Sequence, residues 1–363
     1  MTADITLRGP GDVVAALPYQ LGYHPTESVV LVALHSGRVG LVARCDLPAD
    51  DAVAPTVRTV VEPLLRERPD AVVLIGYERV PESSHALLTA LVEAVERGRV
   101  RVLGVDVVRD GRRYSPTCSR SCCPPEGVPL PDPGDVPAVA ELVALGRAPL
   151  ASREDVEGLV EATSTVAEQV GALLGRRRRH ARGDVAVRAW ARVLAPPGER
   201  RTGRATPLPW TPRVVADAAS ALAGVPLRDA LVGWLSPGVL PRGALDPAVV
   251  AQLERCLPRW AGMGRWSAPG RAGSERHLLL ERLLLLCRSV PDDAPAAAAA
   301  VCTVTAHVAW ADGEGAVARA ALDRALRVEP GYRLAGLLAR LVEHGLRMTP
   351  SGPHGDGAQP RAG

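Results

Sequence analysis

Residues 29–34 read Val-Val-Leu-Val-Ala-Leu, and residues 39–43 read Val-Gly-Leu-Val-Ala. The first run has no polar interruption, which is the pattern of a strand buried on both faces. Ser36-Gly37 between them predicts a two-residue hairpin turn, because Gly supplies the positive φ that such a turn needs. A two-residue loop dictates the register. His35 faces Arg38, Leu34 faces Val39, Leu31 faces Val42, Val29 faces Arg44, Ser28 faces Cys45 and Glu27 faces Asp46. Paired side chains share a face of the sheet, as do residues two apart. That register gathers Glu27, Arg44 and Asp46 at one end of the hairpin, with two carboxylates directly opposed. Opposed carboxylates repel unless a cation lies between them. Arg44 is the internal candidate and a divalent metal the external one. A one-residue slip would exchange faces and break the grouping.

The rest of the first third alternates helix and strand. Asp12 caps a short predicted helix over 13–17, which Pro18 stops. Residues 52–66 are amphipathic, with Val53, Val57, Val61 and Leu64 on one side and Pro63 interrupting the end. Residues 70–77 and 100–108 are predicted strands. Between them, Ser83 or Ser84 caps a helix that runs to Arg97 and ends at Gly98. A hairpin followed by strand–helix units predicts an α/β domain with a mixed sheet over residues 1–131. Its Cys- and Pro-dense stretch, 114–131, is predicted to lack regular structure.

Residues 132–348 carry helical signals and no alternating β-branched run. Ser152-Arg153-Glu154-Asp155 resembles a capping box with Asp in place of Glu or Gln. Thr211-Pro212 and Asp246-Pro247 each read as an N-cap followed by Pro at the first helical position. Residues 310–330 combine a Gly turn, Ala325-Leu326 and Pro330, as in the second half of a tetratricopeptide repeat. One unit is too short for a free-standing solenoid. The α-helical region is therefore expected to end in a tetratricopeptide-like helical hairpin packed on its neighbours. Pro, Gly and Arg mark residues 196–210 as a linker, and residues 349–363 as a disordered tail.

Several segments occur together in one order. They are Leu17-Pro18-Tyr19, Leu21-Gly22-Tyr23-His24-Pro25, Ser28-Val29-Val30, Arg44 with Asp46-Leu47-Pro48, and Tyr114-Ser115 leading to Cys118 and Cys122-Cys123-Pro124. Glu126-Gly127 and the 310–330 hairpin follow. Together they resemble the actinobacterial domain-of-unknown-function 4192 family over most of the chain. The resemblance implies a bacterial cytosolic protein and supplies no catalytic residues.

Composition adds little chemistry. The formal charge is +3, and all 43 basic residues are Arg. Lys, Asn and Phe are absent and Ile occurs only at Ile5 and Ile75, the bias of a GC-rich genome. Leu, Val, Ala and Trp must therefore build the core. Residues 1–14 have no apolar core of a signal peptide. With no export signal, the seven Cys are expected as reduced thiols in a cytoplasm. Residues 294–311 are Ala-rich and contain Thr303, Thr305 and His307, so they predict a soluble helix and no membrane span.

Polar groups that point to chemistry gather at two places. Around the hairpin, the binding candidates are Gly22, Pro25, Glu27, Ser28, Arg44 and Asp46. In the Cys-rich stretch, Cys118, Cys122 and Cys123 place three thiols within six residues. Zinc favours clustered thiolates, but structural sites take four ligands. Cys45, His24 or His85 would have to supply the fourth. Packed thiols, a disulfide or thiol chemistry are the other readings. A basic run, Arg176, Arg177, Arg178 and Arg179, with Arg182, Arg188 and Arg192, suits either nucleic acid or a solvated helix end. A phosphate-binding loop needs a Lys that the chain lacks, and Ser28 is not in a nucleophile elbow. The leading expectation is a non-enzymatic binding or scaffold module, with a protein partner on the helical region. The rival is an enzyme acting on a small or nucleotide-like substrate through Glu27, Arg44 and Asp46, or through the Cys cluster.

Overall fold

The structure is a computed structural model that describes residues 8–118, 122–163, 165–176, 179–195, 210–237, 239–257 and 269–346. The linker expected over 196–210 lies outside these residues except for Trp210, and the tail expected over 349–363 lies wholly outside them. The chain divides into two units. One runs to Leu159 and adds Glu314–Ala320 and Gly336–Leu346; the other comprises Val160–Gly313 and Ala321–Ala335.

The first unit is built on a six-stranded mixed sheet. Its strands are β1 (Ser28–His35), β2 (Arg38–Asp46), β3 (Ala71–Tyr77), β4 (Arg101–Arg109), β5 (Arg112–Tyr114) and β6 (Val128–Pro129), in the order β2-β1-β3-β4-β5-β6. Only β3 and β4 pair in parallel. Helices α1 (Pro10–Leu21), α2 (Val53–Arg66) and α3 (His85–Arg97) cover it. Val29, Leu31, Val72 and Leu74 pack with Val61, Leu64 and Leu91 of α2 and α3. Val30, Val32, Ile75 and Tyr77 pack with Val14 and Leu17 of α1. Cover on both faces is why β1 is apolar without alternation. A second face of α1, Ala15 and Ala16, packs with Val139 and Leu142 of α4 (Pro137–Ala144).

Three local expectations need correction. Helix α1 runs through Pro18, and Gly9 is its N-cap, while Asp12 accepts the Arg8 N–H at 3.0 Å. Helix α2 likewise runs through Pro63 without a break. An interior proline forfeits one helix hydrogen bond, but Leu17, Pro18, Pro63 and Leu64 are all buried, and that burial holds both helices together. The stretch 114–131 is not irregular throughout. Asp110 and Gly111 both take positive φ, 49° and 70°, and turn the chain back so that β5 and β6 extend the sheet. Pro129 is tolerated in β6, an edge strand, where one N–H is dispensable.

Helix α5 (Arg153–Gly158) starts on the expected capping box: the Ser152 side chain accepts from Asp155 N–H, and the Asp155 carboxylate accepts from Ser152 N–H. The second unit is helical. It contains α6 (Thr165–Gly175), α7 (Gly183–Val193), α8 (Pro212–Ala221), α9 (Val225–Leu235), α10 (Pro247–Cys256), α11 (Pro269–Arg288) and α12 (Pro295–Ala311). Helices α13 (Gly315–Val328) and α14 (Arg333–Glu343) end the described chain. Thr211 and Asp246 cap α8 and α10 through their side chains, each followed by Pro. Among the described residues from Asp135 onward no named strand occurs. Helix α12 is buried from Ala298 to Ala309, so its Ala-rich sequence serves close packing on all sides. No helix among the described residues is long and apolar enough to cross a membrane.

Candidate functional site

The hairpin turn forms as its residues dictate. Ser36 and Gly37 take φ of 50° and 78°, His35 pairs with Arg38 and Leu34 with Val39. Beyond that the predicted register fails. Val32 pairs with Val42, so Gly40 and Leu41 of β2 oppose Ala33 alone. This β-bulge moves every later pair by one residue. Ser28 faces Asp46, Val29 faces Cys45 and Val30 faces Arg44. Glu27 and Asp46 are therefore not a cross-strand pair. Gly40 was the available signal, since an isolated Gly in a strand pattern marks a bulge.

Arg44 and Asp46 still share a face, because residues two apart do so in any register. Arg44 Nη1 lies 2.6 Å from Asp46 Oδ1, and Nη2 donates to the Thr26 carbonyl at 3.2 Å. Glu27 sits just before β1 with φ of 42°. Its carbonyl accepts the Leu47 N–H at 3.0 Å and its carboxylate accepts the Arg79 N–H at 2.5 Å. The α5 capping box brings in a second cation. Arg153 Nη1 donates to Asp46 Oδ2 at 3.1 Å, and its Nε lies 3.2 Å from Glu157. Asp46 thus bridges two guanidiniums.

These groups line a polar cleft of about 280 Å³ at the edge of the sheet where β1 begins and β2 ends. Tyr23, Thr26, Glu154 and Glu157 complete it. Tyr23 is placed by a bridge to Leu150, and its ring lies 5.8 Å from the Arg44 guanidinium carbon. Burial raises the Tyr23 phenol above its usual range, and Arg44 opposes that rise. Hydrogen bonds from its own N–H and from Ser152 hold the Glu154 carboxyl below the usual range. The side chain of Arg44 is only 11% exposed, and its Nε is buried without a hydrogen-bond partner.

Of the six residues expected here, Glu27, Arg44 and Asp46 line the cleft. Gly22, Pro25 and Ser28 do not. Gly22 closes α1 in the left-handed conformation, φ 82°, and its N–H donates to Pro18. Pro25 is buried, and Ser28 is wholly buried with its hydroxyl unpartnered. Arg153, Glu154 and Glu157 could not be found from the hairpin pattern. They are more than a hundred positions away, and only the capping box hinted that this helix end was ordered.

The second cluster forms at the sheet's far side. The sulfurs of Cys118, Cys122 and Cys123 lie within 4.8 Å of one another, and those of Cys122 and Cys123 are 3.9 Å apart. Hydrogen bonding from Cys118, the largest of several effects that include burial and Cys122, raises the Cys123 thiol. Arg113 of β5 donates to Asp106 of β4 at 2.7 Å and interacts electrostatically with Cys123. None of the expected fourth ligands joins. Cys45 hydrogen-bonds the Val29 carbonyl, and burial pushes its thiol up to about 11. Among the described residues, His24 and His85 are outside the cluster as well.

Residues 10–348 match the family described as domain of unknown function, DUF4192. The chain belongs to that family. No curated protein and no solved structure matches this DUF4192 chain.

The described arginines of the basic run do not form one helical face. Helix α6 ends at Gly175 and α7 begins at Gly183, so Arg176, Arg179 and Arg182 lie between helices, and Arg177 and Arg178 lie outside the described residues. Trp190 of α7 is fully buried and donates to the Ala218 carbonyl at 3.1 Å.

Proposed function

We infer that the first unit is a binding module for a small polar molecule that carries an amine, held in the cleft at the open end of the β1–β2 hairpin. One observation carries this reading: Arg44 lines the cleft, and its Nε is buried without an acceptor while Nη1 and Nη2 are each bonded. A buried unpaired donor costs free energy, and a ligand oxygen toward which the guanidinium turns would recover it. The remaining lining selects the rest of the ligand. Four carboxylates, Glu27, Asp46, Glu154 and Glu157, face two arginines that Asp46 already engages. That balance disfavours phosphates and favours an ammonium group beside Glu154 and Glu157. The cleft volume is near the lower end of roughly 300–1,000 Å³ typical of ligand pockets. An amino acid or amino alcohol fits this description. The carboxylates hold the site together, Glu27 through a backbone N–H and Asp46 through both oxygens, which argues for binding over acid–base chemistry.

The test is a thermal-shift and calorimetric screen of amino acids, diamines, sugar phosphates and nucleotides. Amine-bearing compounds should bind, and Arg44→Ala and Glu157→Gln should each weaken them. Tighter binding of phosphates, or binding that Arg44→Ala leaves unchanged, overturns the reading.

A further inference from the structure

We propose that Cys118, Cys122 and Cys123 bind one zinc ion through three thiolates, with water in the fourth position. The argument starts from distance. Tetrahedral zinc with bonds of about 2.3 Å requires sulfurs about 3.8 Å apart. Cys122 and Cys123 are 3.9 Å apart, and all three sulfurs fall within 4.8 Å. Three thiols thus already stand close to the corners of one face of a zinc tetrahedron.

The surroundings suit the charge. Zinc replaces the three thiol protons, which leave to solvent, and the resulting centre carries one net negative charge. Arg113 lies close enough to Cys123 to interact with it electrostatically and is itself anchored by the nearly buried Asp106 carboxylate. A cation held by the sheet therefore faces the anionic centre, as outer partners orient and tune metal ligands. The cysteines' own chain has its anchors as well. Cys118 N–H donates to the Ser115 carbonyl, and the Ser115 hydroxyl to the Val105 carbonyl of β4.

Exposure bears on the fourth position. Cys122 is exposed, whereas Cys118 and Cys123 are half-buried. With no fourth protein ligand among the described residues, solvent that reaches the exposed Cys122 supplies the fourth ligand. Three protein ligands and a water are the arrangement of zinc sites that keep a position for exchange.

The experiment uses the full chain without a histidine tag, reconstituted with zinc and freed of excess metal. Elemental analysis should give one zinc per chain. X-ray absorption should report three sulfur scatterers at about 2.3 Å and one lighter atom. The Cys118→Ser, Cys122→Ser, Cys123→Ser triple variant should lose the metal. If that variant does not fold, the parent is titrated with a mercurial in the presence of a zinc-sensitive dye. Blocking three thiols should then release one zinc. Metal well below one equivalent, zinc kept by the folded triple variant, nitrogen-dominated scattering, or thiol blocking without zinc release would each overturn the proposal.

Discussion

Two arginines, one in each unit, are almost removed from water and do opposite things. Arg324 of α13 is 1% exposed, and its guanidinium is saturated. It donates to the carbonyls of Val160, Cys287 and Val290 and, through Nε and Nη2, to Asp292. Arg44, which lines a cleft, is 11% exposed and keeps its Nε–H unpaired. A buried cation whose every N–H finds an acceptor holds structure together. A nearly buried cation with a donor left over has capacity for a ligand. The contrast separates architecture from site more sharply than burial or charge does alone.

The largest test breaks Arg324. Arg324→Ala removes the donors for three carbonyls and leaves Asp292 with Arg327 as its remaining partner. It should cost about 3–5 kcal/mol, read from urea unfolding. A cost no greater than that of Arg44→Ala would dissolve the comparison.

His307 supplies the next test, because it is a buried polar group in the helical unit with neither ring nitrogen bonded. Burial lowers its pKa to about 4; Arg228 adds to the effect and Asp229 opposes it. Between pH 6.5 and 4 the unfolded chain binds a proton that the folded chain refuses. Stability should therefore fall as pH drops through that window, by about 3 kcal/mol in all, and the loss should level off below it. His307→Leu should remove this part of the pH dependence. Parallel slopes in the two proteins would mean that other groups carry it.

Arg44→Ala should cost little stability, about 1 kcal/mol, because Asp46 is 63% exposed and retains Arg153. Two directly opposed carboxylates would have made the loss larger, and the bulge abolishes that pairing. The same variant should weaken ligand binding, so a stability loss as large as that of Arg324→Ala would move Arg44 from site to architecture.

Ser28→Ala is the smallest test. Its hydroxyl is buried and unpartnered, so removal should leave the unfolding midpoint within about 0.5 kcal/mol of the parent or raise it. A clear destabilisation would show that the hydroxyl has an acceptor after all.

How much was legible follows from the range of each signal. The turn at Ser36-Gly37, the caps at Ser152, Thr211 and Asp246, and the two-face burial of β1 depend on neighbours within a few residues. So does the closeness of Cys118, Cys122 and Cys123. All of these could be read along the chain, and Arg44 and Asp46 could be placed on one face by strand period alone.

What only the tertiary structure decided lay in competition between local preference and distant packing. Pro18 and Pro63 signal helix ends locally, but buried apolar neighbours carry both helices through them. Gly40 lets two residues oppose Ala33, and one bulge re-pairs the whole mouth of the hairpin. Arg153 reaches Asp46 across 107 positions, and Arg324 reaches Val160 across 164. A guanidinium has the same five donors wherever it occurs in a sequence. Whether they are all taken, as in Arg324, or the Nε–H is left unpaired, as in Arg44, depends on which carbonyls and carboxylates the fold brings to it.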